Sequence, residues 1–419
     1  MRVHVLVLSA VLSTPSFASA DADPIETGIA AAWRGDSGAE AILRTGLAAC
    51  GEALDSDAAM RCASGMNVLA ALLHASGRLA EADGLFRRAM SRLDIRRPGH
   101  AGVLADAANG LAGLLADRGD WREADQLASR ARDLWEKSCG RECPDLARAL
   151  MTLAEVRLAV GEVPEAEKLL RRAGRLAERP GAAPTMRAAV SARRGVLSLA
   201  LGRYADAEPA LENALEQAED LVGPEHPALV RLAQTLADCY RLRNRLSDAA
   251  ELYARALRIA ETAYGGSHPV VLPLLAGLAE VSERQGLEAR AQAIHTRALA
   301  VADEVLADNE PVRLHYLCQL AAFHARRRDT DRAEVLFRTA LDTNDSRRDP
   351  TLHRIALEGL RDVYVRAGRR AEAARVAREL RSYTPPSRRE VSMSTSPGSS
   401  EPSSLVSAFS HASVAPGEP

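Results

Sequence analysis

The 419 residues carry 54 basic and 56 acidic side chains, a net charge of −2 that excludes a polybasic nucleic-acid binder or membrane anchor. Aromatic residues make up only 4% of the chain against 47% apolar, so alanine and leucine must carry the packing. That composition favours close helix–helix contact over a core built around bulky side chains.

In chain order, residues 1–20 read as a secretory signal peptide. Arg2 supplies a short positive region, Val3 to Leu12 is mostly apolar, and Ala18-Ser19-Ala20 offers small residues for cleavage before Asp21. No later segment is long and apolar enough to span a bilayer, so the mature chain is expected to be soluble and exported, periplasmic or secreted. An oxidising compartment gives the six cysteines weight. Cys50 and Cys62 flank a short polar stretch between two predicted helices, and Cys139 and Cys143 bracket a Gly-Arg-Glu turn ahead of Pro144. Each pair can close locally as a disulfide or remain as thiols, because spacing does not fix connectivity. Cys239 and Cys318 fall inside helical segments as small buried apolar residues. None has zinc spacing, so neither a metal nor a cofactor is expected.

A phrase then recurs about every 42 residues. Its anchor slot holds Gly77, Gly119, Gly161, Gly202, Asn244, Gly286, Arg328 and Gly368. Five residues after each anchor stands an alanine, Ala82 through Ala373, and twelve after stands another in every copy but the last, where Leu380 replaces it. Eight residues before the anchor stands leucine, from Leu69 to Leu360, with Arg194 the one exception. Phe86, Tyr253 and Phe337 recur nine residues after it and read as core packing. These are helical spacings on both sides of a turn, so each copy is a helix pair. Glycine ends the first helix because it tolerates the left-handed conformation. Asn244 is its best replacement there, and Arg328 a poor one that predicts a strained or differently shaped turn.

Prolines 144, 184, 227, 269, 311 and 350 recur ahead of the first helices, where a missing N–H costs nothing. Gly223-Pro224-Glu225-His226-Pro227 and Gly265-Gly266-Ser267-His268-Pro269 spell out the linker between copies. Without a carboxylate or cysteine partner at ligand spacing, His226 and His268 read as capping positions. A unit that buries its apolar face only against its neighbours builds an array.

Over residues 63–382 the chain resembles the tetratricopeptide repeat superfamily, and its 42-residue form is similar to the repeats of kinesin light chains. The resemblance is strongest from Leu236 to Leu299, in the order Leu-Ala, Tyr, Asn, Ala, Leu-Tyr, Arg-Ala-Leu, Gly, His-Pro. It implies an all-α fold, a right-handed superhelical solenoid of about eight stacked antiparallel helix pairs. Upstream, Gly35 stands 42 residues before Gly77, with Ala41 and Ala48 one residue out of register, so residues 21–62 read as a helical cap or degenerate repeat. Downstream, residues 383–419 are rich in serine and proline and read as a disordered tail, with an apolar patch from Leu405 to Phe409. Arg194, Arg328 and Leu380, where the phrase fails, are where the stack is expected to bend, loosen or end.

No phosphate loop, nucleophile elbow or zinc-protease motif occurs, so a non-enzymatic protein-interaction scaffold is expected. The resemblance implies that first helices line a concave groove, with positions thirteen, ten, six and three residues before each anchor facing into it. Those positions hold Asn67 and His74, Asp106 and Asn109, then Arg148 and Glu155. The fifth copy contributes Arg231, Gln234, Asp238 and Arg241, the sixth Glu280 and Glu283, while the fourth is apolar (Ala189, Ala192, Val196, Leu199). A groove apolar in the middle and charged to either side suits a protein or peptide ligand, with a peptide or helix held by an apolar contact and oriented by charge. Two alternatives stand beside this reading: a cell-envelope assembly or secretion cofactor holding a partner protein, and an enzyme whose site lies in the same groove.

Overall fold

The structure, a computed structural model, describes residues 23–382 except 37, 52–54, 98, 306–310 and 344–349. The expected signal peptide, residues 1–20, and the expected disordered tail, residues 383–419, therefore lie outside the described residues. Among the described residues there are eighteen helices and no strand. They divide into two compact units, which meet in sequence between Gly265 and Gly266.

The N-terminal unit holds α1 (Pro24–Arg34), α2 (Ala39–Ala48), α3 (Ser56–Ala75), α4 (Leu79–Ser91), α5 (His100–Arg118) and α6 (Trp121–Cys139). It continues with α7 (Leu146–Ala159), α8 (Val163–Ala177), α9 (Pro184–Ala200), α10 (Tyr204–Val222), α11 (Leu229–Leu242) and α12 (Leu246–Tyr264). The C-terminal unit holds α13 (Val271–Arg284), α14 (Glu288–Val305), α15 (Pro311–Arg326), α16 (Thr330–Thr343), α17 (Pro350–Arg366) and α18 (Arg370–Ser382). Each odd-numbered helix packs on the even-numbered helix that follows, giving the antiparallel pairs of a tetratricopeptide stack. The pair α1–α2 turns at Gly35, whose φ of 72° matches the later turns. The sequence boundary at residues 62 and 63 falls inside α3, which begins at Ser56.

The repeated alanines explain the close pairing. Ala82, Ala124, Ala166, Ala207, Ala249, Ala291 and Ala333 are each 0% exposed. A methyl side chain at the crossing lets two backbones approach, and the leucine eight residues before each turn fills the space beside it. Glycine extends the same device. A Cβ on Gly110 would lie 2.4 Å from the Phe86 ring, and one on Gly359 would lie 2.3 Å from the Phe337 ring. The recurring aromatic therefore packs against a glycine of the next copy's first helix. Arg194, where leucine is expected, is absorbed in a similar way: its guanidinium lies where a Cβ on Gly174 would be, at 2.1 Å.

Among the described residues Asn244 and Arg328 are the two non-glycine residues with positive φ, at 64° and 62°, so both adopt the conformation that glycine adopts at the other anchors. Arg328 does not reshape its turn; it bears the left-handed cost in an ordinary one. Leu380 lies on the last described helix, partly buried against the cluster around Phe337 and Tyr364. Pro184, Pro311 and Pro350 open their helices as expected. Pro144, Pro227 and Pro269 instead precede α7, α11 and α13 by two residues, inside a lead-in turn whose carbonyls accept from Ala147, Val230 and Leu272.

Candidate interaction face

Within the N-terminal unit the odd helices pack on one another, α1 on α3, α3 on α5, α5 on α7, α7 on α9 and α9 on α11, and no comparable packing joins successive even helices. The odd helices therefore crowd toward the inside of a curved stack and the even helices spread over the outside. In the C-terminal unit α15 packs on α17 in the same way.

All twelve candidate groove residues lie on odd helices, and none is fully exposed. Instead of presenting free charges, half of them are tied to a residue of the neighbouring copy and four more to residues of their own. His74 Nε2 stands 2.5 Å from an Asp117 carboxylate oxygen, with both side chains under a tenth exposed. Arg148, 6% exposed, reaches Asp106 at 3.2 Å and Asp145 at 3.1 Å, and its guanidinium lies 5.4 Å from the Trp135 ring centroid. Glu155 accepts from Arg193 Nη1 at 2.6 Å. Asp238 accepts from the Tyr253 hydroxyl at 2.5 Å and from Arg241 at 3.4 Å. Arg231 donates to Gln234 at 3.4 Å. In the C-terminal unit Glu283 takes Arg326 at 2.6 Å and His295 at 2.7 Å, and Glu280 beside it is half-buried. Asn67 donates to the Val103 carbonyl at 3.1 Å and Asn109 is buried nearby in the next copy.

Burial has a price in proton affinity here. The Asp106 carboxyl is pushed up to about 6 by burial and by the Asp145 charge, against the pull of Arg148. Glu155 is raised mainly by burial, although Arg193 opposes the shift. Glu283 goes the other way: burial pushes it up, but His295 and Arg326 together hold it below the ordinary glutamate value. Taking both charges of such a pair out of water offsets much of their attraction, so the pairs add little net stability.

Arg193, Asp117 and Arg326 were not among the groove candidates, although for Arg326 the sequence carried a signal. Opposite charges separated by one period, as in Asp106 and Arg148 or Glu283 and Arg326, mark adjacent odd helices. A second network, also missed, runs outside. Arg78, Arg203, Arg245 and Arg369 each follow an anchor directly and reach a glutamate of the preceding even helix: Glu40 at 2.7 Å, Glu167 at 2.9 Å, Glu208 at 2.5 Å and Glu334. These pairs are largely exposed on the arginine side, so each stabilises little by itself.

The linkers are built alike. Gly140 and Gly223 share φ near 88° with extended ψ, a backbone open to glycine. Arg172 clips the first linker through the Arg141 carbonyl and Glu136, and Arg255 clips the second through the Pro224 carbonyl and Glu219. His226 Nδ1 accepts from the Ala228 N–H at 3.1 Å and His268 Nδ1 from the Val270 N–H at 3.2 Å, so both histidines cap the lead-in turn. Cys143 takes the histidine's place in its linker and is disulfide-bonded to Cys139; Cys50 is bonded to Cys62. Cys239 and Cys318 lie outside both disulfides and are buried, and burial pushes the Cys239 thiol up to about 11. Among the described residues no helix is long and apolar enough to cross a membrane.

Family profiles described as tetratricopeptide repeat match residues 62–93, 103–179 and 186–262. No curated protein matches the chain at a significant level. Among solved structures, the chain is similar to a Podosopora anserina protein with nearly identical TPR-like repeats of kinesin light chain type. That match has 21% identity over 48% of this chain and 95% of the other, with a TM-score of 0.43. It is also similar to a Rap protein complexed with competence and sporulation factor, at 13% identity over 86% of this chain and 96% of that one, TM-score 0.53. A Pyrococcus horikoshii signal transduction ATPase with a tetratricopeptide repeat sensor matches at 13% identity over 78% of this chain and 50% of that one, TM-score 0.55. The last two likenesses are likenesses of fold. With three profile matches inside a stack of helix pairs of one period, the chain carries tetratricopeptide repeats between residues 62 and 262.

Proposed function

We propose that the chain is an exported, non-enzymatic scaffold that holds a peptide or helix of a partner protein against the inner face of its odd helices. Tetratricopeptide repeats and the structural neighbours point to protein–protein interaction, and the Rap protein of similar fold was solved with a bound factor. The observation that carries the reading is the inner face of the N-terminal unit. Five odd helices, α3 to α11, pack side by side there, and their polar side chains are held in place by neighbours before any partner arrives. A surface ordered in advance loses little further side-chain entropy on binding. Of the four apolar positions of α9 expected at the centre of the groove, Ala189, Ala192 and Leu199 are buried in the stack and Val196 alone is partly exposed, so the apolar contact offered to a ligand between α7 and α11 narrows to Val196. The two disulfides support export, since such bonds persist in oxidising compartments.

The test is purification of tagged full-length protein from the exported fraction, with the mature N-terminus read by mass spectrometry. A chain beginning at Asp21 with a partner at constant stoichiometry is the expected result. Arg231→Glu combined with Arg241→Glu, checked for native melting, should lose that partner. Unchanged capture by the folded double variant would sink the inner-face assignment, and a cytosolic chain retaining Met1 would sink export.

A further inference from the structure

Three linkers share one backbone plan, and one of them carries a disulfide where the other two carry a histidine. In each, the carbonyl of the residue before the proline accepts from the N–H three residues on: Cys143 from Leu146, His226 from Leu229 and His268 from Val271. The proline carbonyl then accepts from Ala147, Val230 and Leu272 in turn. With the register shared, Cys143 Sγ leaves the backbone where the two imidazoles do. Those rings accept from the N–H two residues on, Ala228 at 3.1 Å and Val270 at 3.2 Å. The donor in that position behind Cys143 is the Asp145 N–H. His226 spends its other nitrogen on the Trp33 carbonyl of α1, at 3.0 Å, whereas Cys143 spends its sulfur on Cys139.

A disulfide sulfur is a poor acceptor for a backbone N–H, and a thiolate, being charged, is a good one. The two sulfurs also differ in access. Cys139, the last residue of α6, is exposed, and Cys143 is 7% exposed. The carboxylates that would oppose a thiolate at Cys143 are already engaged, Glu142 by Arg179 and Asp145 by Arg148. The linker keeps other ties when the bond opens, because Arg172 holds both the Arg141 carbonyl and Glu136. The bond itself restrains the unfolded chain little: it joins residues 4 apart, against 12 for Cys50 and Cys62.

We propose that Cys139–Cys143 is a redox-active disulfide that exchanges with a dithiol reductant, Cys139 being the sulfur attacked and Cys143 the leaving thiolate. A thiolate of the reductant bonds to Cys139 Sγ as the Cys139–Cys143 bond breaks, and the electron pair leaves on Cys143 Sγ. There the Asp145 N–H donates to it, as the Ala228 and Val270 N–H groups donate to their histidines. A thiolate held by a backbone donor ahead of a helix is a good leaving group. The reductant's second thiolate then displaces Cys139 from the mixed disulfide, and Cys139 takes a proton. Two electrons pass from the dithiol, which ends as its own disulfide. Of its two protons one is matched at Cys139 and the other goes to water. The linker thereby changes from a crosslinked form to one capped like its two histidine counterparts. The inference is independent of which partner the inner face holds.

The test places the oxidised full chain in dithiothreitol buffers of graded potential, with free thiols alkylated and assigned peptide by peptide by mass spectrometry. Cys139–Cys143 should open at least about 60 mV above Cys50–Cys62, a hundredfold in equilibrium constant, with native circular dichroism unchanged. A thioredoxin lacking its resolving cysteine should be trapped on Cys139. In Cys139→Ser, the Cys143 thiol should titrate below its ordinary value of about 8.5, read by thiolate absorbance against the Cys139→Ser, Cys143→Ser double variant. Equal midpoints for the two disulfides would overturn the proposal, as would trapping on Cys143 or a Cys143 thiol that titrates at or above that ordinary value.

Discussion

Replacing Arg328 with glycine should stabilise the protein although it deletes a large side chain. Arg328 holds φ at 62° in the turn between α15 and α16, its side chain is exposed, and it enters none of the ion pairs among the described residues. An L-residue in the left-handed region costs roughly 1–2 kcal/mol, which glycine does not incur. Glycine loses more backbone freedom on folding, which offsets about 0.4–1 kcal/mol of that gain. The net expectation is a gain of about 0.5–1 kcal/mol, equivalent to roughly 2–4 °C in melting temperature for a unit of this size. Asn244→Gly serves as the internal scale. Asparagine tolerates the same conformation with local hydrogen bonding, so its gain should be smaller, below about 0.5 kcal/mol. Urea unfolding followed by circular dichroism would measure both, an unchanged slope showing that the unfolded state is not altered. If Arg328→Gly unfolds at or below the wild-type midpoint, the turn is not strained and the strain argument fails.

Gly110→Ala should destabilise by about 1–3 kcal/mol, because its methyl would overlap the Phe86 ring. Combining it with Phe86→Leu should recover part of that loss, and a double-mutant cycle with no coupling would refute the contact. Arg193→Met should cost about 3 kcal/mol at pH 7.5 by leaving Glu155 buried without its partner. The Glu155 carboxyl is already raised in the folded state, so its ionised form opposes folding as pH rises and a bound proton relieves it. The deficit of Arg193→Met should therefore shrink as pH falls toward 5, and a pH-independent deficit in denaturant unfolding would show that lost packing, not charge, is the cause.

The candidate face illustrates where sequence reasoning stops. Position relative to the anchor placed all twelve residues on odd helices, because a helical period fixes which side of a helix a residue occupies. It could not say what stands opposite. Arg148 reads as a free groove cation until α5 and α7 are brought together and Asp106 is found 3.2 Å away. His226 reads as a cap, and it is one, but no local pattern points to a carbonyl at residue 33. Arg194 reads as a defect in the phrase until Gly174 supplies its space.

What the sequence determined by itself was the repeating unit: helix, left-handed turn, helix, linker, with alanine at each crossing and leucine beside it. Those choices answer local requirements, steric and conformational, that recur identically in each copy and so repeat in the letters. The tertiary structure alone decided which charges are spent between neighbouring copies and where the curve of the N-terminal unit carries α1. Both depend on small rotations between successive pairs, which accumulate over many residues and leave no mark at any single position.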